Sequence, residues 1–238
     1  RADMDALPIH ETNEVPYKSK NPGVMHACGH DTHTAMLVGA AKLLSARRDQ
    51  IPGRVLFMFQ PGEEGHHGAK HMLDEGLLDV PAMHDGSESP VTGAFAIHMT
   101  SALPTGWVST RPGAVMASAD VLRVTITGKG GHGAMPHETI DPVMAAVGMV
   151  QAIQTISSRN HYALDDLVIS VTQIHTGSAS NIIPETAYVN GTVRTFDKGV
   201  QAMVIARMQT IVDGQAAAYG VKAELEYEVG YPATVNDP

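Results

Sequence analysis

The hydrophobic pattern of this chain changes character once, at Pro112-Gly113, and that change constrains the fold more than any other feature. Ahead of it, apolar residues come in short unbroken runs. Residues 53–60 (GRVLFMFQ) lie between Pro52 and Pro61, residues 94–99 read AFAIHM, and a further run covers 106–110. Unbroken runs of this length suit strands covered on both faces, as in a parallel sheet. Residues 32–48, rich in Ala, Leu and Met, read as a helix with Thr32 or Thr34 as its N-cap. Strands alternating with helices predict an α/β layer with a mostly parallel sheet.

Beyond Gly113 the pattern alternates. Residues 119–127 (ADVLRVTIT) set polar and apolar side chains in turn, the mark of a half-buried strand. A helix follows over 142–159, with Val143, Val147, Val150 and Ile153 on one stripe. Two more alternating strands cover 167–175 and 186–196. A helix over 200–219 carries Val200, Met203, Val204, Met208, Ile211 and Val212 at helical spacing, and 222–229 (KAELEYEV) closes with a strand. The order β-α-β-β-α-β is that of a ferredoxin-like module. The expected organisation is a catalytic domain over 1–113, an inserted ferredoxin-like domain over 114–230, and a return to the first domain over 231–238. The chain opens on RADMD and stops at VNDP just past a strand, so the catalytic domain is expected to be incomplete at both ends.

Composition removes whole classes of function. Of 238 residues, 43% are hydrophobic and 17% charged, which suits a protein with a buried core. The formal net charge of -9 argues against a nucleic-acid partner, since phosphate binding needs a basic face. No apolar run approaches the ~20 residues of a bilayer-spanning helix. Cys28 is the one cysteine, so no intramolecular disulfide forms, and a reducing, cytoplasmic setting is expected.

The 13 histidines point towards metal. His26-Ala27-Cys28-Gly29-His30-Asp31-Thr32-His33 packs a thiol and three imidazoles ahead of a helix, and thiolate and neutral imidazole are preferred ligands of zinc and related ions. A buried cysteine among surface histidines is the plain alternative. Gln60-Pro61-Gly62-Glu63-Glu64-Gly65 puts two carboxylates after an apolar run, where one can bind metal and its neighbour take a proton from water. His98 ends an apolar run, as either a ligand or a core histidine bonded to backbone. Asp3 and Asp5, two apart, can ligate metal or hold a ligand histidine by its second nitrogen, or stand as solvated acids in a turn. His66, His67, His71 and His84 read as bystanders. Gly128-Lys129-Gly130-Gly131 lacks the rest of a nucleotide-binding loop.

Together these stretches resemble the zinc-peptidase family of aminoacylases and carboxypeptidase G-like enzymes, in the amidohydrolase branch of hippurate hydrolase and the indoleacetyl-amino-acid hydrolases. The matching motifs are RADMDALP at Arg1, GVMHACGHDTHTAM at Gly23, FQPGEEG at Phe59, GKGGHGAMPH at Gly128 and SNIIPETAYVNGTVRTF at Ser180. The resemblance implies that Cys28, His30, Glu64 and His98 hold two divalent ions, zinc first, with manganese, cobalt or nickel as alternatives. It implies that Glu63 is the general acid/base, that Asp5 orients a ligand, and that His132, Asn181 and Arg194 bind substrate, His132 reaching into a partner subunit's site. The implied activity is hydrolysis of N-acyl amino acids by a metal-activated water, in a homodimer joined through the inserted lid domain. A dipeptidase or carboxypeptidase, and a non-catalytic dimerising homologue, are the alternatives. Two departures stand out: Gly62 replaces the family's usual Ala, and the chain stops before the family's last ligand histidine.

Overall fold

Why a given run becomes a strand is decided by whether a neighbour offers a ladder. The computed structural model describes residues 1–82 and 86–238, so His84 lies outside the described residues. The chain divides into two compact units, Arg1–Val108 and Ser109–Pro238.

In the first unit β1 (Ala2–Asp3) pairs in parallel with β2 (Phe59–Gln60). Helix α1 (His30–Ser45), a 3₁₀ turn at Arg48–Gln50 and the short α2 (Gly68–Asp74) complete its regular elements among the described residues. The predicted strand over 53–60 is therefore reduced to its last two residues, and residues 94–99 and 106–110 form no strand. A two-residue neighbour can template only a two-residue ladder. The unpaired runs leave Val55 46%, Phe95 78% and Val108 82% exposed, against the buried strands expected there. Beside β1, the Arg1 main-chain nitrogen donates to the Phe95 carbonyl at 2.8 Å, a single bond of the ladder the sequence suggested. Helix α1 also starts earlier than predicted. Its N-cap is Gly29, in the left-handed region, and Thr32 Oγ1 turns back to the Gly29 carbonyl at 2.6 Å.

The second unit is built on antiparallel pairs. Its strands are β3 (Gly113–Met116), β4 (Ala119–Thr127), β5 (Gly131–His132), β6 (Leu167–Thr176), β7 (Ile182–Ile183), β8 (Thr186–Thr195), β9 (Lys222–Tyr231) and β10 (Thr234–Asn236). Helix α3 (Pro142–Thr155), prolonged by a π-helical turn, and helix α4 (Lys198–Tyr219) lie between them. The main sheet runs β6-β8-β4-β9, all antiparallel, the spatial order of a β-α-β-β-α-β module. Across the described residues the parallel sheet expected from the sequence is thus confined to β1–β2. Residues 234–236 pair with 113–116 inside this second unit.

Alternation does here what it predicts. Leu122, Val124 and Ile126 of β4 and Val189 and Val193 of β8 face α3 and α4 and are fully buried, joined by Met149, Ile153, Val204, Met208 and Val212. Each such side chain contributes about 1.5–3 kcal/mol of burial. The buried face of α3 includes Ala145, Ala146, Met149 and Ile153; of the predicted stripe, Ile153 is fully buried and Val150 packs against the core, while Val147 is exposed. The small alanines let the helix close on the sheet, which β-branched residues at those positions would prevent. Asp141 caps α3 by accepting from Val143 N at 2.8 Å, and Asp197 caps α4 from Gly199 N and Val200 N. One acid lies in the core. Asp120 accepts from Gln201 Nε2 at 2.7 Å, Tyr227 OH at 2.9 Å and Gly230 N at 3.1 Å, which satisfies its carboxylate.

Candidate metal centre

Two turns and one unpaired segment of the first unit bring the expected donors together. At the first turn, a side chain on Gly29 (φ 82°) would meet Met99 Cβ at 3.1 Å, so glycine lets residues 98–99 approach the Cys28–His30 turn. Cys28 Sγ then lies 3.5 Å from His98 Nε2, while His98 Nδ1 faces the Met99 carbonyl at 2.6 Å. At the second turn, β2 hands over to Pro61-Gly62, and the Gly68 N–H closes the loop on the Gly62 carbonyl at 3.0 Å. A side chain at Gly68 would collide with the Pro61 carbonyl, so this loop holds Glu63 and Glu64 only with glycine there.

His30 is the hub. It is fully buried, and its Nδ1 faces the Asp5 carbonyl at 2.9 Å and Asp5 Oδ1 at 3.2 Å. Its Nε2 points towards Glu63 Oε2 at 3.9 Å and has no hydrogen-bond partner. Asp5 Oδ2 accepts the Glu64 N–H at 2.9 Å, so one carboxylate ties the imidazole to the acidic loop. Three overlapping groups have donor atoms within 4.8 Å of one another: Cys28, His30 and His98; His30, Glu63 and Glu64; Asp3, His30 and His33. His30 belongs to all three.

The electrostatics follow from crowding acids around a buried ring. Burial raises the Glu63 carboxyl, and the negative charges of Asp3 and Glu64 raise it further against His30 and Arg1. Burial, then Glu64, Glu63 and Asp3, push the Cys28 thiol up to about 11. Burial also acts to raise Asp5, but backbone N–H bonds from the Glu64 and Glu63 turn and the nearby His30 outweigh it, and the carboxyl lies below its ordinary value. A buried imidazole nitrogen without a partner costs about 1–3 kcal/mol. Thiol, imidazole and carboxylate donors gathered around His30, with that nitrogen unpartnered, suit a divalent cation, which would offset the cost.

Asp3, read from sequence as a ligand or the holder of one, and His33, one of the motif's three imidazoles but given no role of its own, also lie in this cluster. The i, i+3 spacing of His30 and His33 is the signal, because residues three apart share a helix face. Of the bystanders, His71 lies in α2 and His67 caps it with positive φ.

In the second unit, β5 pairs with β7 so that His132 stands opposite Ile182, and the Gly133 N–H donates to the Asn181 carbonyl at 2.8 Å. His132 Nδ1 accepts the Ala134 N–H at 3.1 Å, which leaves the ring's proton on Nε2 as an outward donor. Arg194 lies on β8 with its guanidinium on Thr192 Oγ1 and the Val193 carbonyl. Among the described residues no hydrogen bond links it to His132 or Asn181.

The family description Peptidase family M20/M25/M40 matches residues 1–238 of this chain. The chain is a member of the M20 peptidase family. Its mixed α/β fold is that family's. Among similar M20 proteins, Thermostable carboxypeptidase 2 of Saccharolobus solfataricus is 44% identical over 241 residues, covering 100% of this chain and 59% of the relative. The N-acyl-L-amino acid amidohydrolase of Geobacillus stearothermophilus is 44% identical over 237 residues, covering 99% and 61%. The crystal structure of the Bacillus subtilis YXEP protein, a dinuclear metal binding peptidase from the M20 family, superposes with a TM-score of 0.75 at 38% identity, covering 99% of this chain and 58% of that one. This M20 chain thus spans about three-fifths of the length of the curated relatives it matches. Among the described residues no helix is long and apolar enough to cross a membrane.

Proposed function

We propose that the protein is a metal-dependent amidohydrolase that cleaves the amide bond of N-acyl amino acids or similar conjugates bearing a free carboxylate. The observation that carries this reading is that the donor atoms of Cys28 and His98, and those of Glu63 and Glu64, each gather within 4.8 Å of a donor atom of buried His30, whose Nε2 has no hydrogen-bond partner. In this reading Cys28, His30, Glu64 and His98 hold two divalent ions, zinc first on the chemistry of the donors, with manganese, cobalt or nickel as alternatives. Such ions supply Lewis-acid polarisation and lower the pKa of a bound water.

The chain's own residues do the rest. Glu63, whose carboxyl is raised by burial, accepts the proton of the attacking water and returns it to the leaving amine. Asp5 keeps the ring of His30 in one tautomer through Nδ1. His132 offers its Nε2–H to the carbonyl oxygen as charge builds there. Asn181 and Arg194 bind the substrate's carboxylate, for which a guanidinium is the natural bidentate partner. Residues 114–230 act as the lid and dimerisation domain, inserted in the catalytic domain, and His132 serves the partner's site. A single free thiol suits the cytoplasm.

A screen of N-acyl amino acids, with each divalent metal added back to the purified protein, tests this reading. Hydrolysis of at least one member that depends on added metal and stops with chelator is expected; none with any metal would overturn it. The similarity to a carboxypeptidase favours one second reading, true peptides as substrates, and unblocked dipeptides in the same screen separate the two. For His132, Glu63→Gln and His132→Ala proteins are mixed under conditions where subunits exchange. Partial return of activity is expected, and no return would confine each site to one chain.

A further inference from the structure

His33 has no part in the chemistry above, yet it lies at the middle of the cluster. It is 2% exposed, with its ring centroid 5.2 Å from that of His30 and 4.6 Å from that of His98. Its Nε2 accepts the backbone N–H of Met99 at 2.9 Å. A nitrogen that accepts carries no proton, so in the neutral ring the proton sits on Nδ1. Nδ1 is buried, has no hydrogen bond of good geometry, and faces Asp3 Oδ2 at 3.5 Å. Asp3 is 5% exposed and is itself held by the Arg1 guanidinium.

Two roles fit a buried Asp-His pair beside donor residues. In one, Asp3, His33 and His30 form a third cation position, since their donor atoms also converge. That role asks Nδ1 for a lone pair while Nε2 accepts an N–H, which requires the ring to lose both protons. A neutral imidazole cannot do this. In the other role the pair holds something in place, and what it holds is visible. Residues 94–99 have no strand ladder to fix them, and His98 is exposed. Phe95 is held by the Arg1 nitrogen, and Met99 is where the His98 end of the segment is fastened. Its N–H is taken by His33, its carbonyl faces His98 Nδ1, and its Cβ rests where Gly29 leaves room.

We propose that Asp3 and His33 are a positioning pair that sets where His98 stands, by fixing the tautomer of His33 so that its Nε2 holds the Met99 backbone against the Cys28–His30 turn. The inference rests on the metal centre of the preceding section. It predicts that His33 governs the ion bound by Cys28 and His98 more than the ion on the Glu64 side.

The test is cobalt(II) binding to the purified protein. The readouts are the near-ultraviolet thiolate-to-cobalt absorption of Cys28, the affinity of each ion, and far-ultraviolet circular dichroism for folding. Partners of this kind affect metal affinity by about 10–100-fold. His33→Phe keeps an apolar ring of similar size and removes the acceptor. It is expected to weaken the thiolate-reporting ion by about that factor, with the other ion changed less and the dichroism unchanged. His33→Gln, whose Oε1 can accept the same N–H, should recover most of the affinity, and Asp3→Asn should fall between. If His33→Phe does not fold, His33→Gln against Asp3→Asn carries the comparison. Gln then stays near wild type while Asn loses affinity for the thiolate-reporting ion first. Wild-type affinity in His33→Phe, or equal loss at both ions, or no advantage of Gln over Phe or Asn, would overturn the pair while leaving the centre intact. A wild type without the thiolate band would sink the centre and the pair with it.

Discussion

The two units of this chain are filled by opposite kinds of side chain. Among the described residues, the second unit buries a continuous set of aliphatic and methionine side chains between one sheet face and two helices. What the first unit buries is mostly polar: Asp3, His30, His33 and Gln60, with Ala2 and Gly68. A buried apolar set needs nothing but its own close packing to be stable. A buried polar set is stable only when its donors and acceptors are met, and here the His30 Nε2 atom has no protein hydrogen-bond partner. The difference teaches where to look for function. The second unit's buried set is completed by its own side chains, whereas the first gathers donors that a bound cation would satisfy.

If that contrast is right, substitutions in the two units should damage different things. The largest effect belongs to Glu63→Gln, which keeps the shape of the side chain but cannot take a proton. It should lower kcat by about 10²–10⁴-fold while both units keep their melting behaviour and metal stays bound. Activity near wild type would remove Glu63 from the chemistry. Met149→Ala should do the reverse. Met149 is fully buried in the second core, and such truncations cost about 2–5 kcal/mol, so urea unfolding of the second unit should move to lower denaturant with metal content unchanged. A loss of metal on truncating Met149 would erase the distinction between the units.

A smaller effect concerns pH. Because burial and nearby acids hold the Cys28 thiol at about 11, it is protonated throughout the neutral range, and the form that binds metal is the thiolate. The sign follows: each ion held by Cys28 displaces a proton, so affinity rises with pH and falls as pH drops. Isothermal titration from about pH 6 to about pH 9 should show an affinity gain of about tenfold per pH unit, with about one proton released per ion at Cys28. A pH-independent affinity would take Cys28 out of the coordination.

Much of this was legible in the sequence, and unequally so. Strict alternation over 119–127 and 186–196 marked β4 and β8 closely, because a strand with one buried face imposes a period of two on its own residues. The unbroken runs over 53–60 and 94–99 carried no such information. Their strand character depends on neighbours elsewhere in the chain, and the described residues supply only Ala2–Asp3 beside Phe59–Gln60. The stripe of α3 held at Ile153 and Val150 but failed at Val147, because periodicity marks apolar residues without saying which of two adjacent faces is thinner, and Ala145 and Ala146 took the sheet side. Cys28, His30, Glu63, Glu64 and His98 were readable from chemical type and motif, and they converge in space. His33 was printed in the same motif but could not be weighed, since its part depends on the backbone of Met99, 66 residues away in sequence.

The central claim is that the polar interior of the first unit exists to hold metal. His30 belongs to all three donor groups, so it tests that claim most directly. Elemental analysis of the purified, dialysed protein should find two divalent ions per chain in the wild type. His30→Ala should lose both, or retain them only at greatly raised metal concentration, while the second unit still melts as in the wild type. Two tightly held ions in His30→Ala, or none in the wild type under any metal supplied, would contradict the account.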